Sequence, residues 1–308
     1  MTRERATAFV PGHVTAFFSA YPAADPAAAG SCGAGVTLTH GVETTVVPRD
    51  RSLPLDRTET ADGSTPPVLL DGTPVAIDVV GDVLAALGVT SDTAEVRLAS
   101  DLPVGAGFGV SGAAALGAAL AANAAFDLGR SENELIRIAH VAEVERGTGL
   151  GDVVAQARGG IPIRVRPGAP AHGELDGIPT APRVEYVTFG ELSTEAVLAG
   201  DTDALSAAGE RALTRLRRDT RSVTLLAAAR TFAVEADLLV PAVEEAIDAV
   251  AAAGGSAAMA MLGRTVFAFG TGLSDAGYDP AVCGVHAAGA GIVNDDAPAT
   301  DRSVSADR

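Results

Sequence analysis

The chain has 308 residues and is strongly acidic, with 39 aspartates and glutamates against 22 basic residues and a formal net charge of −17. This charge argues against nucleic acid or an anionic membrane as a general partner, and the length allows one large domain or two of ordinary size. Two cysteines are too few for a disulfide scaffold. No secretory signal is recognisable and no stretch approaches the roughly 20 uncharged apolar residues that span a bilayer, so we expect a soluble, cytoplasmic protein.

The chain contains no lysine, and all 22 of its basic residues are arginine. Lysine-free sequences rich in Asp, Glu, Ala, Gly and Thr are typical of proteins from a high-salt cytoplasm, where dense surface carboxylates keep a protein soluble. The composition therefore predicts a halophilic protein.

Short strands dominate the predicted elements of the first hundred residues. β-Branched residues and turn signals predict strands at 6–10, 36–47, 75–79 and 94–98 and a helix at 82–87. We expect Pro11-Gly12-His13 to break the first strand and the glycine-rich residues 30–35 to form a turn.

Helices and strands are mixed in the rest of the chain. Helices are predicted at 109–126, at 132–145 after a capping box of Ser131 and Glu134, and at 153–158, 202–216, 222–237 and 241–253. Strands are predicted at 161–165, 184–189, 265–269 and within 284–293. The Pro- and Gly-rich residues 167–182 are the best candidate for a domain boundary, and the tail from Asp295 is predicted to be disordered.

Residues 101–120 read D-L-P-V-G-A-G-F-G-V-S-G-A-A-A-L-G-A-A-L, a glycine-rich loop that runs into an Ala/Leu helix. Glycines expose backbone N–H groups and a helix N-terminus adds a partial positive charge, so the combination predicts an anion site. Ser111 supplies a hydroxyl in the first turn of that helix. We interpret the loop as the binding site for the phosphates of a nucleotide.

Three other interpretations of this loop compete. Gly107 to Gly112 fits the dinucleotide fingerprint G-x-G-x-x-G, but the residues before it are polar and end in proline, and the acid at Asp127 lies at a helix end rather than on a strand. A Walker-type loop requires lysine and is excluded. A Gly/Ala hinge for close packing explains the alanines but not the alternation of glycines ahead of Ser111.

Four ordered motifs resemble the GHMP kinase superfamily, named after galactokinase, homoserine kinase, mevalonate kinase and phosphomevalonate kinase. The segment P-V-G-A-G-F-G-V-S-G-A-A, which begins at Pro103, is similar to the family's phosphate loop P-x-x-x-G-L-G-S-S-A-A. P-G-H at 11–13, G-L-G-D-V-V-A-Q at 149–156 and the glycine-rich residues 254–263 resemble the family's N-terminal, aspartate-bearing and C-terminal motifs. Together they span nearly the whole chain.

This resemblance implies an α+β fold in two parts. The GHMP kinase fold joins an N-terminal ribosomal-protein-like domain, with a left-handed βαβ crossover, to a C-terminal ferredoxin-like α/β domain, with the active site between them. On this basis we assign residues 1–170 to the N-terminal ATP-binding domain and 171–294 to the C-terminal domain, and expect a disordered acidic tail at 295–308. The assembly is left open, with a homodimer as one option.

Longer segments are similar to the archaeal pantoate kinases within the superfamily. They are A-F-V-P-G-H-V-T-A-F-F at 8–18, G-S-C-G-A-G-V-T-L at 30–38, A-H-V-A-E-V-E-R-G-T-G-L-G-D-V-V-A-Q-A-R-G-G-I at 139–161 and A-M-L-G-R-T-V-F-A-F at 260–269. The resemblance implies transfer of the γ-phosphoryl group of ATP to the 4-hydroxyl of pantoate, which gives 4-phosphopantoate for coenzyme A synthesis. A halophilic archaeal origin agrees with the composition. The alternatives are another small-alcohol kinase (homoserine, shikimate or mevalonate kinase) and a nucleotide-binding regulator without catalysis.

By this resemblance, ATP and Mg²⁺ are the cofactors. The loop amides would bind the phosphates, and the hydroxyl of Ser111 would bind phosphate or Mg²⁺. Glu143 is the expected second Mg²⁺ ligand, with Glu145 as the alternative; solvated helix charges are the other interpretation of both. The candidate nucleotide-binding residues are Pro103, Gly105, Ala106, Gly107, Phe108, Gly109, Val110, Ser111, Gly112 and Ala113.

Asp152 would accept or orient the proton of the acceptor hydroxyl, and an N-cap of the 153–158 helix is its other possible role. Many relatives pair this aspartate with an N-terminal lysine, which this chain lacks. Either an arginine therefore assists Asp152, or positioning and Mg²⁺ suffice.

Pantoate carries a carboxylate and two hydroxyls, so its pocket needs a cation and hydrogen-bond donors. Arg164 is the first candidate for the cation, because it follows the aspartate closely in the chain. A core position is an equal interpretation of His140 from spacing alone, and a turn-shaping role is the alternative for His13. The candidate acceptor-binding residues are Arg164, His140, Ser31, Thr194 and His13.

Overall fold

The computed structural model describes residues 5–49, 68–90, 92–190 and 202–293. The strands of this part of the chain are β1 (Ala6–Tyr21), β2 (Gly30–Pro48), β3 (Val68–Leu70), β4 (Thr73–Val75), β5 (Ala94–Ser100), β6 (Ile161–Arg166), β7 (Glu174–Ile178), β8 (Arg183–Thr188), β9 (Ala257–Ala260), β10 (Thr265–Phe269), β11 (Ala281–Gly284) and β12 (Gly291–Val293). The helices are α1 (Asp78–Ala86), α2 (Val110–Phe126), α3 (Glu132–Arg146), α4 (Asp152–Arg158), α5 (Thr202–Arg218), α6 (Ser222–Glu235), α7 (Pro241–Ala252) and α8 (Gly272–Asp275).

Two long antiparallel strands, β1 and β2, form the centre of the first sheet. The predicted break at Pro11-Gly12-His13 is wrong, because a register shift between Pro11 and His13 absorbs the irregular residues and the strand continues. The predicted turn at 30–35 is also wrong, since these residues pair with the end of β1. Both errors arise because pairing between the two strands overrides the local turn signals.

Shorter strands complete this sheet in the order β12-β1-β2-β5-β3-β4, and β6 joins it by pairing with β2 and β7. Strands β3 and β5 run parallel with α1 between them in the chain, which makes a β–α–β crossover. The strand predicted at 75–79 is wrong, since β4 ends at Val75 and α1 begins at Asp78.

Helix α2 packs against β1 and β2, while α1 and α3 pack against α2. The alanines and leucines of α2 are buried on nearly every side, as expected for a helix that is apolar all round. Gly117 allows the close approach, since a Cβ there would lie 2.3 Å from Oγ1 of Thr44 on β2. The next helix, α3, begins at the predicted capping box, in which the amide of Ser131 donates to the carboxylate of Glu134 at 2.9 Å.

The second sheet has the strand order β11-β8-β10-β9. In chain order these are the fourth, first, third and second strands of a β-α-β-β-α-β unit, which is the ferredoxin-like arrangement. The predicted ferredoxin-like C-terminal part of the fold is therefore confirmed.

The predicted division at 170/171 would divide the first sheet, because β7 and β12 follow it in the chain but belong to that sheet. That division stays a prediction, and the predicted tail at 295–308 lies outside the described residues. No helix in the described ranges combines the length and apolarity that crossing a membrane requires.

Candidate active site

The loop between β5 and α2 depends on glycine at three positions. Gly105, Gly107 and Gly109 have φ values of 76°, 88° and 62°, a region that other residues adopt only at a cost. Gly109 immediately precedes α2, and no side chain caps the first turn of the helix. The amide groups at this helix N-terminus are therefore available to an anion.

Three carbonyl oxygens of the loop are bonded to the protein. Ala106 O accepts from Thr265 Oγ1 at 2.8 Å, Phe108 O from the amide of His13 at 2.9 Å, and Gly109 O from Gln156 Nε2 at 2.9 Å. Carbonyls held in this way are not directed at a phosphate, which they would repel. Sequence reasoning missed the roles of Thr265 and Gln156, although Gln156 follows Asp152 at the i,i+4 spacing of one helix face.

The C-terminal glycine motif packs directly on this loop. A Cβ at Gly263 would lie 2.1 Å from the carbonyl oxygen of Ala106 and 2.7 Å from the amide nitrogen of Gly107. The ring of Phe108 is buried against Tyr186 of the second sheet, with centroids 4.8 Å apart. The second sheet therefore supports the loop from behind.

Asp152 lies beside this loop at the start of α4. A Cβ at Gly109 would be 3.1 Å from its Oδ1, and its Oδ1 also lies 2.7 Å from Nδ1 of His13. Burial would raise the pKa of Asp152, but its interactions with His13, Arg164 and Thr15 together outweigh that effect and lower it. The N-cap of α4 is Gly151, so the carboxylate of Asp152 is not used as a cap.

Glu143 faces the same site from α3, whereas Glu145 is exposed. The carboxylate of Glu143 accepts from Thr148 Oγ1 at 2.9 Å. Burial raises its pKa to about 7, although the hydroxyls of Thr148 and Ser111 oppose the shift. A Cβ at Gly149 would lie 2.2 Å from Glu143 Oε2 and 3.6 Å from Asp152 Oδ2, so this glycine keeps open the space beside both carboxylates.

A small cavity adjoins Asp152. Its lining residues are Thr15, Phe18, Ser31, Leu150, Gly151, Asp152, Arg164 and Leu262. The guanidinium of Arg164 is the unusual group: the residue is 2% exposed, yet its Nε and Nη1 have no hydrogen-bond partner. A buried cation with unpaired donors is costly, so this arrangement suits an anionic ligand.

Gly151 connects this cavity to the aspartate. A Cβ there would lie 2.7 Å from both Arg164 Nε and Ser31 Oγ, so only glycine lets the main chain ahead of Asp152 pass between them. The hydroxyl of Ser31 donates to the carbonyl oxygen of Leu150 at 3.3 Å. The structure thus brings Ser31, Arg164 and Asp152 together around one cavity.

The other residues predicted to bind the acceptor are His140, His13 and Thr194. His140 is buried and its Nε2 lies 2.9 Å from the carbonyl oxygen of Ala29, next to the start of β2, but it does not line the cavity. His13 is fully buried and contacts Asp152 rather than the cavity. Thr194 lies outside the described residues.

The described residues contain no group of three or more His, Cys, Asp or Glu side chains that could hold a metal ion. Ser111 and Glu143 nevertheless fit Mg²⁺, because this ion is usually held by one or two carboxylates while water and substrate phosphates complete its shell. The raised pKa of the buried Glu143 carboxyl is the expected state of such a ligand without its cation.

Comparison with known proteins agrees with this geometry. Residues 75–160 match the family model for the GHMP kinases N terminal domain. The chain is 35% identical to the pantoate kinase of Thermococcus kodakarensis over 266 residues, covering 85% of this chain and 86% of that one. It is 31% identical to the pantoate kinase of Methanospirillum hungatei over 270 residues, covering 88% and 89%. Its fold is similar to that of a solved phosphotransferase related to the CoA biosynthesis pathway, with a TM-score of 0.81 and 29% identity over 94% of this chain and 98% of that one.

Proposed function

The chain belongs to the pantoate kinase family of the GHMP kinases, and from that premise we propose that it transfers the γ-phosphoryl group of ATP to the 4-hydroxyl of pantoate. The product would be 4-phosphopantoate, for coenzyme A synthesis. The observation that carries this proposal is the buried guanidinium of Arg164, whose unpaired nitrogens share a cavity with Asp152. An acceptor with both a carboxylate and a hydroxyl fits that pair of groups.

The nucleotide is bound by main chain rather than by charged side chains. The amides from Gly105 to Ala113 bind the phosphates of ATP, and the dipole of α2 adds favourable charge. The bonded carbonyls of Ala106, Phe108 and Gly109 hold the loop in the conformation that this binding needs.

Ser111 and Glu143 would hold Mg²⁺. When bound, Mg²⁺ would neutralise charge that develops on the phosphate oxygens during transfer. A cation beside Glu143 favours its ionised form, which the buried site alone disfavours.

Asp152 handles the proton of the acceptor. Its lowered pKa keeps it ionised at neutral pH, so its carboxylate accepts a hydrogen bond from the 4-hydroxyl and orients that oxygen toward the γ-phosphorus. The oxygen–phosphorus bond forms as the bond to ADP breaks, and the hydroxyl proton passes to Asp152.

The acceptor carboxylate pairs with Arg164, whose planar guanidinium matches it with parallel hydrogen bonds. The hydroxyl of Ser31 binds a polar group of the acceptor beside it. His140 and Thr194 would be further contacts of the acceptor; His140 is buried next to the strand that carries Ser31.

An acceptor panel tests the proposal. ADP release is measured at high salt with pantoate, homoserine, shikimate and mevalonate, and the phosphorylated product is identified by mass spectrometry. Fastest turnover of pantoate is the expected result. Turnover of another alcohol but not pantoate would assign a different small-alcohol kinase, and ATP binding without any transfer would favour a regulator.

The setting of the enzyme is proposed from composition. A net charge of −17 without any lysine supports a high-salt cytoplasm as the location of the enzyme. For the assembly of the enzyme, a homodimer is our proposal. Activity should fall when the salt is dialysed away, because close surface carboxylates then repel one another unscreened. Full activity in dilute buffer would contradict the halophilic assignment, and the mass from light scattering tests the dimer.

A further inference from the structure

His13 lies where the phosphate loop meets α4, and a bulge in β1 places it there. The register of β1 against β2 shifts between Pro11 and His13, and bulges beside active sites commonly re-aim a side chain. The amide of His13 donates to the carbonyl oxygen of Phe108 at 2.9 Å. The main chain of His13 is therefore bonded to the phosphate loop.

The imidazole ring of His13 bonds the aspartate. Nδ1 lies 2.7 Å from Asp152 Oδ1, and since a carboxylate only accepts, Nδ1 carries the proton. Nε2 is buried without a partner. A second proton there would be a buried donor without an acceptor, so the ring is a neutral donor. Burial lowers the pKa of His13, which agrees with that assignment.

The neighbouring strand is shaped around this ring. A Cβ at Gly35 of β2 would lie 2.2 Å from Nε2 and 2.8 Å from Cε1 of His13, so the ring packs directly on the main chain. Thr15 Oγ1 lies 3.4 Å from Nδ1. With Gly35 against Nε2 and Cε1 and with Asp152 and Thr15 near Nδ1, the ring has little freedom to turn away from Asp152.

We propose that His13 is a positioning residue for phosphoryl transfer: its ring orients Asp152 while its main chain anchors the phosphate loop. The inference rests on the proposed function, because it takes Asp152 to act on the acceptor hydroxyl. With Oδ1 bonded to His13, Oδ2 is the oxygen left for the acceptor. One residue thereby holds the ATP side and the acceptor side in a fixed relation, which is what efficient transfer needs.

Three substitutions separate orientation from packing. His13→Asn puts an amide donor near the position of Nδ1, His13→Gln puts one near the position of Nε2, and His13→Leu has none. We expect the Gln and Leu variants to lose about 10²-fold in kcat with little change in KM for ATP, as a misplacement of about 1 Å produces. The Asn variant should stay within about tenfold of wild type, a loss at the low end for an altered supporting contact.

The matched control is an exposed histidine–aspartate pair that lies outside the site. His172 Nε2 lies 3.8 Å from Asp25 Oδ2, and both side chains are exposed. His172→Leu should leave kcat unchanged.

Kinetics are measured with the alcohol that the wild type phosphorylates fastest, so a wild type that prefers another acceptor contradicts the proposed function alone. Equal kcat values for the Asn and Gln variants, or losses confined to Tm and ATP affinity, would overturn the inference. If the Leu variant does not fold, the Asn–Gln comparison decides. A wild type that phosphorylates no alcohol overturns both the inference and the function.

Discussion

The proposed phosphate loop and the cavity proposed for the acceptor both adjoin Asp152, and they are built in different ways. The loop acts through main chain, with glycines at positive φ and carbonyls bonded inward. The cavity acts through side chains, with Arg164 from β6 and Ser31 from β2. The loop should therefore be sensitive to the size of a substituted side chain, and the cavity to its charge.

This difference also separates generic from specific recognition. Phosphates are common to every ATP-dependent kinase, and main-chain amides at a helix N-terminus are sufficient to bind them. The acceptor distinguishes one small-alcohol kinase from another, and its recognition requires charged and polar groups that the fold collects from distant strands.

The largest expected effect comes from removing the residue that both regions share. Asp152→Ala should lower kcat by about 10³-fold, within the range for loss of a general base, while the Kd for ATP stays nearly unchanged because the loop main chain is untouched. Steady-state kinetics measure kcat, and a calorimetric titration measures the Kd for ATP. An equal loss of ATP binding would mean that the two regions are not separable.

Glu143→Gln tests how much the ionised, buried carboxylate of Glu143 lowers the free energy of unfolding. A pKa of about 7 in the folded protein, against an ordinary value near 4.5, means that stability falls as the pH rises through that window and stays low above it. Without ATP and Mg²⁺, the variant should gain on the order of 3 kcal/mol at pH 8 and little at pH 4, as denaturant unfolding would measure.

The same variant should lose transfer activity, because the proposed Mg²⁺ site would lose its carboxylate. Glu145→Gln is the matched control, since Glu145 is exposed on the same helix and should change neither quantity. A Glu143→Gln protein no more stable than wild type at pH 8 would contradict the assigned burial cost.

The smallest effect is expected from a single methyl group on the loop side. Gly263→Ala would put a Cβ 2.1 Å from Ala106 O, and overpacking of this kind costs roughly 1–3 kcal/mol of folding stability. Displacement of the loop by this Cβ should weaken ATP binding by about tenfold, which corresponds to about 1.4 kcal/mol. Gly291→Ala is its control, since nothing lies within 4 Å of a Cβ there. A rise in KM for the acceptor without a rise in KM for ATP would contradict the assignment of Gly263 to the loop side.

Local sequence predicted the loop well because the loop is one continuous segment whose glycines are needed where they stand. Its helix, the capping box at Ser131 and the ferredoxin-like C-terminal sheet implied by the family agree with the structure. The choice of Glu143 over Glu145 agrees with its burial, although its role as a metal ligand stays a prediction.

The contacts of His13 could not be predicted in the same way. Its partners, Phe108 and Asp152, are far along the chain, and they meet only because β1 continues through the residues predicted to end it. The unpaired nitrogens of Arg164 depend likewise on three-dimensional burial, which no local pattern encodes.

The most direct test of the central claim compares pantoate with its carboxamide in the wild type and in Arg164→Gln. If Arg164 binds the acceptor carboxylate, the wild type should prefer the acid by at least about 10²-fold in kcat/KM, since the amide brings no counter-charge and turns an NH₂ donor toward the buried cation. The variant should lose that preference while its KM for ATP stays unchanged. A preference for the acid that survives the substitution, or a wild type that uses both acceptors equally, would contradict the account.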